Sequence, residues 1–149
     1  MNDKGQIITI IGAGNMGTAI LAGIVRNGLT DPELVRATGL RREHLDAIHR
    51  EYGVTTMLDN PAAIEGADVV MLCVKPQHLE QVLQELDNRL HPKTLVISIV
   101  AGARLERLQA GLNHGCIIRT MPNTPAQIGQ GKGSPAITPV DRADQGKEG

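Results

Sequence analysis

Apolar residues in this chain come in short unbroken runs, separated by stretches in which they recur every three or four positions. The runs predict strands near Gln6–Gly12, Leu34–Gly39, Val54–Met57, Ala67–Val74, Lys93–Val100 and Cys116–Met121. Between them Met16, Ile20 and Ile24 recur at i, i+4 and i+8, and Leu45, Ile48 and Tyr52 at i, i+3 and i+7. Leu79, Val82, Leu83, Leu86 and Leu90 form a third apolar stripe of helical period. Stop signals agree: Gly28, Gly53 and Gly111 follow periodic residues, and Asn60 before Pro61 reads as an N-cap with proline at the first helical position. Repeated strand–helix–strand units of this kind build an α/β fold, a doubly wound parallel sheet, and six strands complete one. After Pro125 the pattern lapses. "IGQGKGSPAITPVDRADQGKEG" is rich in Gly, Pro and charge, so residues 1–125 are read as the folded domain and 126–149 as a flexible, disordered tail outside the core.

Composition narrows the partners. Of the 149 residues 41% are apolar, enough for one domain with a real core, and with no Phe or Trp and only Tyr52 that core must be aliphatic. No aromatic platform exists for stacking bases, and a net charge of -1 gives no basic footprint, so nucleic acid is excluded as a partner. The opening "MNDKGQ" is polar and the apolar run behind it is short and interrupted by glycine. That argues against a signal peptide or a membrane span and makes the cytoplasm the expected compartment. Cys73 and Cys116 lie in separate apolar runs without CxxC spacing and read as ordinary thiols. His44 and His49 fall on a polar helical stretch and His91 and His114 in turns, so solvated side chains and no metal site are expected.

The chemistry begins at "IITIIGAGNMG", Ile7 to Gly17. Gly12, Gly14 and Gly17 follow an unbroken apolar strand and open an amphipathic helix, the context that gives a GxGxxG pattern its meaning. In a Rossmann-type fold Gly12 permits the tight turn, Gly14 lets backbone approach a diphosphate, and Gly17 lets the helix pack closely on the strand. The diphosphate would sit at the helix N-terminus, facing unpaired N–H groups and the positive end of the dipole. Selection for NAD(H) usually needs an acid about 20 residues further on, at the end of the second strand, to hold the ribose 2′-hydroxyl. This chain offers "RATGLRRE" there: Thr38 and Gly39 carry no carboxylate, and Arg41 and Arg42 follow. The site therefore looks built for the 2′-phosphate of NADP(H), with NAD(H) the alternative cofactor. In the other reading of the same residues, both arginines simply start a solvated helix.

Three further turns close strands where such a sheet puts its ligand: "CVKPQ", "SIVAG" and "RTMPNTPA". With "IIGAGNMG" and the Asp59–Asn60 pair, the set resembles the N-terminal domain of pyrroline-5-carboxylate reductase over roughly residues 6–130. VKPQ and MPNTP are the more specific part of the match. The resemblance implies that Ile11, Gly12, Ala13, Gly14, Asn15, Met16 and Gly17 hold the diphosphate, and that Thr38 and Asn60 meet the adenosine end. It implies also that Val74, Lys75 and Pro76, with Val100, Ala101 and Gly102, line the path to the nicotinamide, and that Asn123 lies near the reacting ring. Lys75 and Asn123 are then the candidates for a catalytic role, although a lysine at a strand end more often contacts phosphate or solvent than serves as an acid.

The implied reaction is hydride transfer from NADPH to the imine carbon of 1-pyrroline-5-carboxylate, a small-molecule substrate, giving L-proline. Such reductases are homo-oligomers whose helical C-terminal domain makes the dimer and supplies the carboxylate and imine contacts. No stretch of the 149 residues resembles that domain, so the expectation is a chain that binds NADP(H) while a complete active site needs residues it does not contain. Two other readings stay open: another NADP-linked oxidoreductase of the hydroxyacid dehydrogenase type, and a dinucleotide-binding module without catalysis.

Overall fold

The computed structural model describes residues 5–122 and 137–143. Six strands run parallel: β1 (Ile8–Ile11), β2 (Val35–Thr38), β3 (Thr55–Met57), β4 (Val69–Leu72), β5 (Leu95–Ser98) and β6 (Ile117–Pro122). The first five lie inside the runs predicted for them, trimmed where the chain bends into its turns. Helices α1 (Asn15–Arg26), α2 (Arg42–Tyr52), α3 (Asn60–Ala63), α4 (Pro76–Leu86) and α5 (Leu105–Leu112) connect them, with a single 3₁₀ turn at Pro32–Leu34.

The sheet order is β3-β2-β1-β4-β5-β6-β7, where β7 is Ile137–Ala143. β1 sits between β2 and β4, with Ile8 opposite Val35 on one side and Val69 on the other. The chain thus winds outward from β1 to β3 and then returns to begin β4 on the far side of β1. Connections leaving β1 and β4 diverge at this reversal and open a crevice at the carboxyl ends of the strands.

Side-chain alternation along the strands builds two aliphatic layers. Ile10 and its lateral neighbour Met71 pack with Leu21 and Ile24 of α1 and Leu45 and Ile48 of α2. Ile11 and Leu72, one residue on, pack on the opposite face with α4 (Leu79, Leu83) and α5 (Leu108, Leu112). Two buried hydroxyls bond across this core: Thr9 Oγ1 donates to the Ala63 carbonyl at 2.6 Å and Thr94 Oγ1 to the Ala67 carbonyl at 2.9 Å. No helix among the described residues is long and apolar enough to cross a membrane.

Four local expectations need correction. Asp59, not Asn60, caps α3: its Oδ1 accepts from the Ala62 N–H at 3.1 Å, which leaves the Asn60 side chain free for other work. Gly111 does not end its helix; Asn113 does, in the left-handed conformation with φ 55. Gly111 instead faces α4, where a Cβ would stand 2.9 Å from Leu83 Cδ1, so its lack of a side chain serves helix packing. His114 is buried rather than solvated and its Nε2 donates to the Thr94 carbonyl at 2.7 Å.

The fourth correction concerns the stretch read as a uniform tail. Residues 137–143 form β7, antiparallel to β6, from Ile137 opposite Pro122 to Ala143 opposite Ile117. Pro139, opposite Thr120 where the register shifts, has no N–H for a ladder and is compatible with an edge strand at an irregularity. Its proline and its Asp141–Arg142 pair gave this segment a loop-like composition, although charge and proline are also what blunt an exposed sheet edge. The rest of 126–149 lies outside the described residues.

Candidate functional site

The turn after β1 is held open by its neighbours. Gly12 has φ +94, and a Cβ there would meet the Val74 backbone N at 2.9 Å, so only glycine lets the β1 turn pass the β4 turn. Gly17 packs as the motif requires: a Cβ would lie 2.5 Å from the Gly12 carbonyl oxygen and 3.2 Å from Ile10 Cγ2. Gly14 differs, because nothing lies within 4 Å of where its Cβ would be. Its space opens onto a crevice of about 600 Å³ at the carboxyl ends of β1 to β4.

Hydrogen bonds from the second strand and helix fix this loop. Ala13 N–H donates to the Thr38 carbonyl at 2.7 Å and Gly12 N–H to Thr38 Oγ1 at 3.2 Å. The Ala13 carbonyl accepts from Thr18 Oγ1 at 3.2 Å and from His44 Nε2 at 2.8 Å. A carbonyl only accepts, so His44 must carry its proton on Nε2. His44 is therefore a strut between α2 and the loop, not the freely solvated side chain its polar helix suggested. No side chain caps α1 and no acid occupies its first turn, so the N–H groups that begin the helix face the crevice without a competing carboxylate.

Of the residues singled out in the sequence, Ile11, Gly12, Ala13, Gly14 and Asn15 line the crevice from β1 and α1. Thr38, Arg41, Asn60, Val74 and Lys75 line it from the other strand ends. Met16 and Gly17 lie in the first turn of α1 behind that wall, and Pro76 is the exposed first residue of α4. Arg41 and Arg42 separate: Arg41 is on the wall, whereas Arg42, the first residue of α2, is exposed and off it. The Val100, Ala101 and Gly102 turn follows β5, one strand further along the same sheet edge and outside the crevice wall. Asn123 lies outside the described residues.

The sequence reading missed His78, Gln81 and Glu85, which line the crevice from α4, together with Leu58. A signal for them existed: 78, 81 and 85 are spaced three and four apart, a polar stripe beside the apolar stripe of the same helix.

Cys73 also borders the crevice, and burial pushes its thiol up to about 12. Since the thiolate is the reactive form, a thiol about three pH units above its ordinary value of 9.0 carries roughly a thousandth of the usual thiolate at neutral pH. A Cys116→Ser variant, whose sole remaining thiol is Cys73, is expected to resist iodoacetamide at pH 8 while folded and to react promptly in denaturant. Equal rates in the two states would contradict the burial argument.

Comparison with known proteins bears on what this crevice holds. The chain is 36% identical to the pyrroline-5-carboxylate reductase of Escherichia coli (strain K12) over 142 residues, 92% of this chain and 53% of that protein. It is 40% identical to that of Synechocystis sp. over 139 residues, 91% of this chain and 51% of the relative. The chain thus spans about half the length of these curated relatives. Among solved structures, a pyrroline-5-carboxylate reductase from Coxiella burnetii superposes with a TM-score of 0.76 at 37% identity, covering 83% of this chain and 46% of that one. The Plasmodium falciparum pyrroline carboxylate reductase, solved with NADP bound, shares the fold with a TM-score of 0.75 at 21% identity over 99% of this chain and 51% of its own. The family model described as NADP oxidoreductase, coenzyme F420-dependent, matches residues 7–102, from the start of β1 through the turn after β5. By that match, over more than half of its residues, the chain belongs to the NADP oxidoreductase, coenzyme F420-dependent, family, and over most of its length it is similar to pyrroline-5-carboxylate reductases.

Proposed function

We propose that this chain is the NADP(H)-holding part of a pyrroline-5-carboxylate reductase, which reduces 1-pyrroline-5-carboxylate to L-proline. One observation carries the cofactor half of the reading. A glycine with open space before it faces, across a single crevice, a second-strand end that has an arginine and no carboxylate. A dinucleotide diphosphate fits the unpaired N–H groups that open α1, and Arg41 stands where a 2′-phosphate would lie. The VKPQ and MPNTP turns and the likeness to reductases of that name support the substrate half.

When bound, NADPH supplies the hydride for the imine carbon. This chain's residues bind and orient. Gly12 and Gly17 keep the turn tight, and Thr38 and His44 fix the loop carbonyls and amides so that the phosphate contacts are preformed. Val74 and Lys75 extend the wall from β4 toward the nicotinamide end, where Asn123 is placed by the resemblance. The binding domain is residues 1–125, with β7 added to its edge. Assembly into a homo-oligomer, residence in the cytoplasm and use of NAD(H) as the weaker cofactor belong to the same reading.

Separate Arg41→Ala and Arg42→Ala variants test it. A charge-assisted contact is worth roughly 1.5–3 kcal/mol, so Arg41→Ala is expected to weaken NADPH by about ten- to a hundredfold and leave NADH nearly unchanged. Arg42→Ala, off the crevice wall, is expected to have the smaller effect. Equal loss of both cofactors in Arg41→Ala would show that the arginine does not read the 2′-phosphate.

A further inference from the structure

The far end of the crevice holds a polar relay that the glycine motif does not account for. Asn60 Nδ2 donates to Glu85 Oε1 at 2.7 Å, and Gln81 Nε2 donates to Glu85 Oε2 at 3.1 Å. All three residues line the crevice, flanked by Leu58, which is 45% exposed, and by Val82. A carboxylate only accepts, so Glu85 dictates which way both amides turn: each presents its NH₂ to Glu85 and keeps its carbonyl oxygen for something else. No described residue donates to Asn60 Oδ1. Capping of α3 falls to Asp59, so the Asn60 side chain is not spent on its own helix.

The topology says which part of a dinucleotide reaches this relay. The diphosphate belongs over β1 at the start of α1, and the ribose over the end of β2 beside Arg41. Leu58 and Asn60 follow β3, the next strand outward in the order β3-β2-β1, so they meet the base beyond that ribose. Apolar side chains there suit the faces of a purine, while a carboxylate and the amide oxygen that Asn60 does not turn to Glu85 are available to its edge.

Resting on the cofactor reading above, we propose that Glu85 makes this subsite specific for a purine edge that donates, the 6-amino group of adenine, by holding Asn60 with its acceptor toward the base. A 6-oxo purine would set its own oxygen against these acceptors. Glu85 is then a positioning and specificity residue and not a catalytic one.

The test compares NADPH with its reduced hypoxanthine analogue, identical except for the 6-oxo group, by fluorescence titration of the native chain and of Glu85→Gln. The native chain is expected to prefer NADPH by about tenfold or more, since a site built for a hydrogen-bonding group discriminates strongly against an analogue that leaves its polar atoms unpaired. Glu85→Gln keeps the shape but can offer an NH₂, so the preference is expected to shrink toward unity, chiefly through weaker NADPH binding. If Glu85→Gln does not fold, Asn60→Ala, which removes the acceptor and keeps Glu85, is expected to lose the same preference. Equal binding of the two dinucleotides by the native chain overturns this inference while leaving the cofactor reading intact, as does a variant that weakens both by the same factor. Failure of the native chain to bind either overturns the cofactor reading and this inference with it.

Discussion

Gly14→Val is expected to leave the fold intact and to weaken NADPH binding by about a hundredfold or more, equivalent to losing two or so charge-assisted hydrogen bonds. The two halves of that expectation have separate causes. Gly14 has a negative φ of -85, and its absent Cβ would touch nothing within 4 Å, so the folded chain has room for a branched side chain there. The space it would fill is the approach to the N–H groups that begin α1, and a diphosphate cannot share it. Gly17→Val supplies the contrast. Its Cβ would stand 2.5 Å from the Gly12 carbonyl oxygen, and overpacking of this kind costs about 1–3 kcal/mol, so a melting temperature lower by several degrees is expected. Thermal melting and NADPH titration of the two variants check both. An unfolded Gly14→Val would contradict the open space at that position, and a folded one that binds NADPH as the native chain does would place the phosphates elsewhere.

The second large effect concerns turnover. A polypeptide of these 149 residues, saturated with NADPH, is expected to form proline from 1-pyrroline-5-carboxylate at the background rate. The crevice described here is walled by β1 to β4 and their following turns, and every role derived for its residues is toward the dinucleotide. None of the roles derived for the described residues is toward the substrate carboxylate. Correct placement of two reactants is worth about 7–11 kcal/mol, so a bound hydride donor without a positioned imine gives up most of the catalysed rate. Proline formation assayed with saturating cofactor decides this. Turnover near the ordinary enzyme scale of about 10 per second would mean that the substrate site is complete within these residues.

How much of this was legible in the sequence depends on how local the signal was. The central strands β1 and β4 are almost wholly buried, so each announces itself as a near-continuous apolar run, and Gly12, Gly14 and Gly17 carry their roles in their spacing. β7 was hidden because an edge strand bears the proline and charge that also mark loops. The strut from His44 to the Ala13 carbonyl joins positions 31 residues apart, and the Asn60–Glu85 bond joins positions 25 apart. Nothing in either local pattern foretells such partners. Arg41 and Arg42 looked equivalent as neighbours in sequence, and only the start of α2 shows that successive residues there face different directions. The Asp59–Asn60 pair was legible as a helix start, yet both residue types cap helices, and only the bond from the Ala62 N–H to Asp59 Oδ1 shows which of them does.

On the reading proposed above, the crevice takes NADPH in preference to NADH. The direct measurement is a titration of the native chain with NADPH and with NADH, following the reduced nicotinamide fluorescence at low ionic strength. Saturable binding of NADPH, tighter than that of NADH by about tenfold or more, is the predicted result, because the proposed partner of Arg41 on the crevice wall is the 2′-phosphate that NADH lacks. No saturable binding of either nucleotide, or NADH bound as tightly as NADPH, would contradict it.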